Sequence, residues 1–218
     1  MDKDYKAEPY YKNPRMPMLK YIPENIKTSL EVGCAYGNFS LLLQEKFDTE
    51  CWGVEIVKDA ADIASQKLNK VLNCDINDAM KQLPNNYFDC IIFNDVIEHL
   101  LDPYEVLKKI KVKLNKDGVI IASIPNVRFW NNIKALFFAG EWNYRDSGIL
   151  DWTHLRFFTY KSIVKMFKET GYEIINIEGL RPKKSFSFCI SNFLMLGRLS
   201  DAQYHQFACV VRQKTEEI

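Results

Sequence analysis

Between about residues 28 and 125, short apolar runs alternate with amphipathic stretches of helical period, and that rhythm admits few folds. Ser29 to Val32, Cys51 to Glu55, Lys70 to Cys74, Phe88 to Phe93 and Val119 to Ile124 have strand length. Several are apolar almost throughout, as befits strands covered on both faces. Between them, Phe39, Leu42 and Leu43 follow Gly37 at helical spacing, and Ala60, Ile63, Ala64 and Leu68 share one face of a stretch from about Asp59. A third helix opens at Asp102-Pro103 and turns Leu107, Ile110 and Leu114 inward, with Lys108, Lys109, Lys111 and Lys113 expected to be mostly solvated. Strand and helix in this order predict an α/β fold, a mostly parallel sheet with helices on both faces.

The rhythm breaks in the last third. Residues 126–160 read as a looser aromatic and polar insert, followed by a helix from about Lys161 to Thr170, a Gly171 cap and a strand from Glu173 to Glu178. A last strand, about Gln206 to Arg212, follows a second insert over 181–201 that fits a buried helix, a dimer contact, a lid or an interfacial patch. The two late strands should pair antiparallel. A chain of 218 residues fits one elaborated domain, here 28–218, preceded by a leading segment 1–27. Its 29 Lys and Arg against 28 Asp and Glu give a net charge of +1, so there is no footprint for nucleic acid. Six cysteines without ligand spacing read as mostly buried, reduced thiols. The charged start Met1 to Tyr5 lacks a secretory apolar core, and Phe186 to Leu196 is too short to span a bilayer, so a cytoplasmic protein without membrane insertion is expected.

The first strand runs into Gly33-Cys34-Ala35-Tyr36-Gly37, where two glycines bracket the turn into a helix. Glycine permits the tight turn and lets backbone approach a ligand, which is why nucleotide-type cofactors sit at such loops. A dinucleotide fingerprint starting at Gly33 would need glycine at 35 and 38, where the chain has Ala35 and Asn38. The S-adenosylmethionine pattern, an acidic residue and then GxGxG, matches Glu31, Gly33 and Gly37 and departs only at Ala35. Glu55 closes the second strand 18 residues beyond Gly37, where a carboxylate can accept both hydrogens of a ribose diol. Asp75, just past the third strand, is placed to accept from an adenine amino group, with Ile76 packing on the ring. Each residue alone is weak evidence; together, at successive strand ends, they fit a ligand lying along the carboxyl edge of a sheet.

With these stretches and Phe88 to Leu100, the chain resembles the class I S-adenosylmethionine-dependent methyltransferases over about residues 28–125. The resemblance implies a Rossmann-like, seven-stranded sheet whose last strand is antiparallel, and S-adenosylmethionine as donor, leaving S-adenosylhomocysteine. It implies that Glu31 anchors the loop near the methionine end, that Gly33, Ala35, Tyr36 and Gly37 form the loop, that Glu55 takes the ribose hydroxyls, and that Ile56 beside it also contacts the cofactor. Asp75 and Ile76 would meet the adenine, and Asn94 and Asp95 would line the cofactor beside the methyl group. Tyr10 to Arg15 resembles the leading segment that folds over the cofactor in many relatives, where Arg15 would meet a carboxylate.

Methyl transfer from a sulfonium is an in-line displacement, so an acceptor hydroxyl needs positioning and a base. Of three histidines, His205 reads as structural, and His99, in Glu98-His99-Leu100, can face the acceptor or satisfy local backbone. His154 is the leading base, its ring oriented by Asp151 or Asp95, unless it only ties down its loop; Asp95 is a further catalytic candidate. The run Asp151 to Thr159 resembles a subset of the family found with bacterial surface-sugar and polysaccharide genes, which implies O-methylation of a sugar or sugar nucleotide. Phe129, Trp130, Trp142, Tyr144 and Trp152 can stack on that acceptor or close over a core. No metal is expected, because the carboxylate set of the metal-dependent O-methyltransferases is missing, and a homodimer is left open. Two alternatives stand beside this reading: a cofactor-binding partner protein that regulates another enzyme without transferring a methyl group, and a methyltransferase of another small molecule.

Overall fold

A computed structural model describes residue 12 and residues 14–214. Its centre is a seven-stranded sheet of β1 (Thr28–Val32), β2 (Glu50–Val54), β3 (Lys70–Leu72), β4 (Phe88–Asn94), β5 (Leu114–Pro125), β6 (Tyr172–Pro182) and β7 (Tyr204–Gln213), in the order β3-β2-β1-β4-β5-β7-β6. β1 through β5 pair in parallel, and β7 runs antiparallel to both β5 and β6. The expected fold is therefore present, including the antiparallel pairing of the late strands.

The helices are α1 (Asn38–Phe47), α2 (Lys58–Ala64), α3 (Ile76–Ala79), α4 (Pro103–Ile110), α5 (Trp130–Lys134), α6 (Tyr160–Glu169) and α7 (Phe186–Leu194). α4 starts where Asp102 accepts from the Glu105 N–H and Pro103 supplies a preset φ, and it buries Val106, Leu107 and Ile110. Lys113, just beyond, is not solvated: its ammonium is buried and donates to the Leu83 carbonyl and Asn85 Oδ1, both at 2.7 Å. The Lys113 stem crosses apolar surface and its charge finds fixed acceptors, so the outward face of a helical pattern ends before it. α6 opens with a reciprocal cap between Thr159 and Ser162 and packs Ile163, Met166 and Phe167 inward.

Alternating strand residues fill two cores. Leu30, Val32, Ile91, Phe93, Ile120 and Ala122 pack with Leu107, Ile110, Ile163 and Phe167 on one face; Cys51, Cys90, Ile92 and Ile121 pack with Phe39, Leu43, Ala64 and Leu68 on the other. Truncating a side chain such as Phe93, wholly buried here, to alanine would cost about 3–5 kcal/mol. All six cysteines are free; Cys34, Cys51, Cys90 and Cys209 are buried, and Cys189 is exposed. Among the described residues no helix is long and apolar enough to cross a membrane.

Two inserts complete the chain. In 126–160, α5 runs into a π-helical turn, Ala135–Ala139, and the rest is held by isolated bridges, Asn126 to Phe158 and Arg145 to Asp151. Between β6 and β7, α7 buries only Phe188, against Trp130, Leu199 and Ala202, and leaves Phe186, Phe193 and Leu194 exposed. That removes the reading of this second insert as a buried core helix: one apolar side chain in nine faces the protein.

The strand order fixes where a ligand can sit. From β1 the chain moves outward through β2 and β3, then returns to β4 on the other side of β1. The connections leave β1 and β4 in opposite directions and open a crevice at their carboxyl ends, where doubly wound sheets bind ligands.

Candidate active site

The loop after β1 carries three left-handed residues in alternation, Gly33 at φ 68, Ala35 at φ 50 and Gly37 at φ 71. A Cβ at Gly33 would lie 2.6 Å from Val96 Cγ2, so space as well as backbone conformation demands glycine there. Ala35 adopts the same conformation with a side chain attached. Its N–H donates to Glu55 Oε2 at 2.8 Å, while Glu55 Oε1 accepts from the Val57 N–H at 2.9 Å. Glu55 therefore pins the loop, a duty that spacing alone did not reveal. Each of its oxygens keeps acceptor capacity, and burial raises its carboxyl above the usual range. Lys67 also holds the loop, donating to the Tyr36 carbonyl at 2.6 Å and to Asn38 Oδ1 at 2.7 Å.

Beneath the loop lies Glu31, buried, accepting from Ser40 Oγ at 2.7 Å and from Asn94 Nδ2 at 3.0 Å. Desolvation outweighs both donors and pushes its carboxyl up to about 7. Glu31 joins β1, the first turn of α1 and the end of β4. Asn94 Oδ1 is buried and accepts no hydrogen bond from any described residue. An orphaned acceptor in the crevice wall is the feature expected where a ligand's N–H completes the set.

Asp75 is exposed and caps α3, its Oδ1 accepting from the N–H and Nδ2 of Asn77 at 2.8 and 2.7 Å. Ile76, the first residue of that turn, points into the core at 3% exposure and cannot present a face to an adenine ring. Ile56, beside Glu55, is 66% exposed. Helix initiation at Asp75 turns the next side chain inward, which a strand-end reading of the segment misses.

Asp95, at φ 56, pairs with Arg15 and accepts from Ser123 Oγ at 2.6 Å. Arg15 thus reaches the crevice edge, but its partner is Asp95. Tyr10, Tyr11 and Asn13 of the leading segment lie outside the described residues. Asp95 is thus held at the crevice edge by a guanidinium and a hydroxyl.

The acceptor side joins two distant segments. Glu98 and His99 belong to a 3-10 turn, Ile97–His99, just after β4. The Leu155 and Arg156 N–H groups both donate to the Glu98 carbonyl, at 2.9 and 3.0 Å, which straps the first insert onto this turn. His154 is buried, with Nδ1 2.9 Å from the Ile149 carbonyl; His99 Nδ1 is 3.1 Å from the Thr153 carbonyl. A carbonyl only accepts, so each neutral ring carries its proton on Nδ1 and its lone pair on Nε2. Backbone carbonyls thus hold both rings. Asp151 Oδ1 instead accepts from the backbone and hydroxyl of Thr153 at 2.9 and 2.7 Å.

The rings of His99 and His154 meet edge to face at 4.7 Å, and His154 Nε2 stands 3.9 Å from Glu98 Oε1. Glu98 is 1% exposed, and neither of its oxygens accepts a hydrogen bond from a described residue. Burial and the neighbouring Asp95 push its carboxyl well above the usual range. The pairing of Glu98 with two histidines went unrecognised in the sequence, although Glu98-His99 was visible as a dipeptide. Outside the pair, Tyr144 stacks on Trp152 at 5.0 Å and Trp142 meets Phe157 edge on at 5.3 Å. Trp142, Tyr144 and Trp152 are exposed, whereas Phe129 and Trp130 are buried and serve the core. His205 packs on Phe129 away from these rings.

These features match known proteins. Residues 5–177 match the family described as a methyltransferase domain. A S-adenosylmethionine-dependent methyltransferase from Archaeoglobus fulgidus superposes with a TM-score of 0.71 at 20% identity, covering 94% of this chain and 97% of that one. A possible histamine N-methyltransferase from Thermotoga maritima superposes at 0.64 with 17% identity, covering 94% and 89%. Ajmaline N-methyltransferase of Rauvolfia serpentina is 28% identical over 107 residues, 46% of this chain and only 36% of that protein, so the chain spans about a third of that relative's length. With the glycine-bracketed loop, the acidic residues at successive strand ends and most of its length matched, the chain belongs to the methyltransferase domain family, and S-adenosylmethionine-dependent methyltransferases share its fold.

Proposed function

We propose that this protein transfers a methyl group from S-adenosylmethionine to an oxygen of a small molecule, a sugar or sugar nucleotide. The observation that carries the reading is the pair of rings held by backbone carbonyls, with the His154 lone pair at Nε2, on the side of the crevice where Asn94 and Asp95 end β4. When bound, the donor supplies an activated methyl on a positive sulfur. Glu55 would hold the ribose, Ile56 would pack on the adenine ring, and Asp75 would meet the adenine amino group. Glu31 would fix the loop of Gly33, Ala35, Tyr36 and Gly37, and Asn94 Oδ1 would take a donor N–H. Residues 1–27 would act as the capping segment, tied down through Arg15. The acceptor's proton leaves toward the cluster of Glu98, His99 and His154. Exposed Trp142, Tyr144 and Trp152 offer flat faces to a ring bearing both C–H and O–H groups, which supports a carbohydrate. Six free cysteines fit a reducing, cytoplasmic setting.

The test has two stages. Calorimetric titration with S-adenosylmethionine and S-adenosylhomocysteine should give binding, and silence at hundreds of micromolar would end the proposal. Mass spectrometry after incubation with sugars, sugar nucleotides and amines should then find the added methyl on a carbohydrate oxygen. Methylation of amines alone, as the names of two similar proteins suggest, would move the acceptor to nitrogen. Binding without turnover on any acceptor, with a copurifying enzyme, would favour the regulatory partner.

A further inference from the structure

We propose that Glu98, His99 and His154 form a binding site for a divalent first-row transition cation, and that this ion seats the oxygen to be methylated. The inference rests on the methyl-transfer reading for the role of the ion, but not for its binding.

Among the described residues, one donor atom from each of these three side chains lies within 4.8 Å of the other two. Ions of this class hold imidazole and carboxylate ligands at about 2.0–2.2 Å, which puts ligand atoms about 3 Å apart. Small side-chain rotations close that difference. Both rings already show the arrangement typical of ligating histidines: Nδ1–H held by a carbonyl, of Thr153 for His99 and of Ile149 for His154, with the lone pair on Nε2.

The independent sign is Glu98. A carboxyl group 1% exposed whose oxygens take no hydrogen bond from any described residue is accommodated only with a proton or a cation on it, and a cation can displace the proton. Arg15 pairs with Asp95, and neither Glu98 oxygen takes a hydrogen bond from it. The ligand chemistry selects the ion: two imidazoles with one carboxylate suit manganese, iron, cobalt or zinc, whereas magnesium prefers oxygen ligands and its own waters. Three protein ligands leave positions for water or an acceptor oxygen.

At such a site the acceptor hydroxyl loses its proton at near-neutral pH, and with the His99 and His154 lone pairs on the ion that proton passes to solvent instead of to a ring. Its oxygen forms the new bond to the methyl carbon, and the electron pair of the broken carbon–sulfur bond stays on sulfur. The step is redox-neutral and needs no further reactant. A vicinal diol, common on sugars, can chelate the ion through both oxygens and so fix which one faces the methyl.

The test uses the full chain, stripped with a chelator and titrated with Mn2+ by paramagnetic resonance and with Zn2+ by calorimetry, without acceptor. One equivalent should bind, and Glu98→Gln and His99→Gln should each weaken binding at least tenfold while S-adenosylhomocysteine affinity, the check on folding, stays within twofold. Binding that survives both substitutions, or no binding by a chain that still takes up S-adenosylhomocysteine, overturns the site. Should the buried Glu98→Gln fail that folding check, half-buried His99→Gln carries the decision. Once an acceptor is found, chelation should lower turnover at least tenfold and Mn2+ or Zn2+ restore it. Full turnover after chelation would remove the ion's role and leave methyl transfer standing, whereas ion binding without methylation of any acceptor would leave the site and remove the activity.

Discussion

The two walls of the crevice are built in opposite ways. The donor wall comes from short contiguous stretches, each within a few residues of the strand that carries it: Gly33 to Gly37 after β1, Glu55 and Ile56 after β2, Asp75 after β3, Asn94 ending β4. Its polar groups are mostly satisfied from within, Glu31 by Ser40 and Asn94, Glu55 by the Ala35 and Val57 N–H groups. The acceptor wall joins Glu98 and His99 to the stretch from Ile149 to Arg156 through backbone hydrogen bonds, with no regular element at its far side. It holds a buried carboxylate without donors among the described residues and exposes three large aromatic side chains. On the proposed reading, donor recognition is written in local spacing and acceptor recognition in contacts between distant segments.

If the walls work separately, one substitution should empty one function and spare the other. His154→Ala should lower turnover by about 10²–10⁴-fold with S-adenosylmethionine affinity nearly intact, since its ring meets His99 and faces Glu98 on the proposed acceptor side. Steady-state rates on a genuine acceptor, beside a calorimetric titration of the donor, read both quantities. Near-wild-type turnover would hand the proton to another group; a parallel loss of donor affinity would mean the walls are coupled.

The next effect lies under the donor wall. Glu31 titrates at about 7 in the folded chain against an ordinary 4.5, so the folded state holds a proton that the unfolded chain releases between those values. Its contribution is full below 4.5 and is lost as pH rises through 7, by roughly 3 kcal/mol in all. Urea unfolding of the donor-free protein across that range should give a falling stability that Glu31→Gln flattens. A slope unchanged in the variant would place the titration elsewhere.

Glu55→Ala should then weaken S-adenosylmethionine by roughly 1–3 kcal/mol, through lost ribose hydrogen bonds. Because Glu55 also pins the Ala35 N–H, part of that loss should appear as a looser loop. Faster amide exchange at residues 33–37 in the donor-free variant would register it, and unchanged exchange would assign the whole loss to the ligand.

The contrast between the walls explains what could be read before the structure. The alternation of Leu30 and Val32 with Ser29 and Glu31 fixed the two faces of β1, and glycines at 33 and 37 marked a turn no other residue type fits as well. Ile76 was misplaced because a one-turn helix begins at Asp75, a shift too short for periodicity to register. Lys113 was misplaced because its acceptors, Leu83 and Asn85, lie about thirty residues away in the chain. Glu98 was passed over for a similar reason: its partner His154 comes from an insert with neither helical nor strand period, so nothing in the spacing linked them. For the same reason, the absence of one familiar carboxylate set around β4 could not speak to a site completed from residue 154.

The smallest effect belongs to Ala35, where the donor wall departs from its own rule. An L-residue in the left-handed region costs about 1–2 kcal/mol, and glycine's greater freedom when unfolded offsets about 0.5–1 of that. With Ala35 at φ 50, Ala35→Gly should therefore stabilise the protein by about 0.5–1 kcal/mol, a rise of about 1–4 °C in Tm for a chain of this length. Gly33→Ala should do the reverse and more strongly, because its new Cβ would meet Val96 Cγ2 at 2.6 Å in addition to the strained φ. Donor affinity should stay level in Ala35→Gly, since the Glu55 hydrogen bond is to the backbone N–H and survives the change. A fall in Tm would mean that the alanine methyl makes contacts worth more than its strain, and a gain in affinity would mean that the methyl stands where the donor lies.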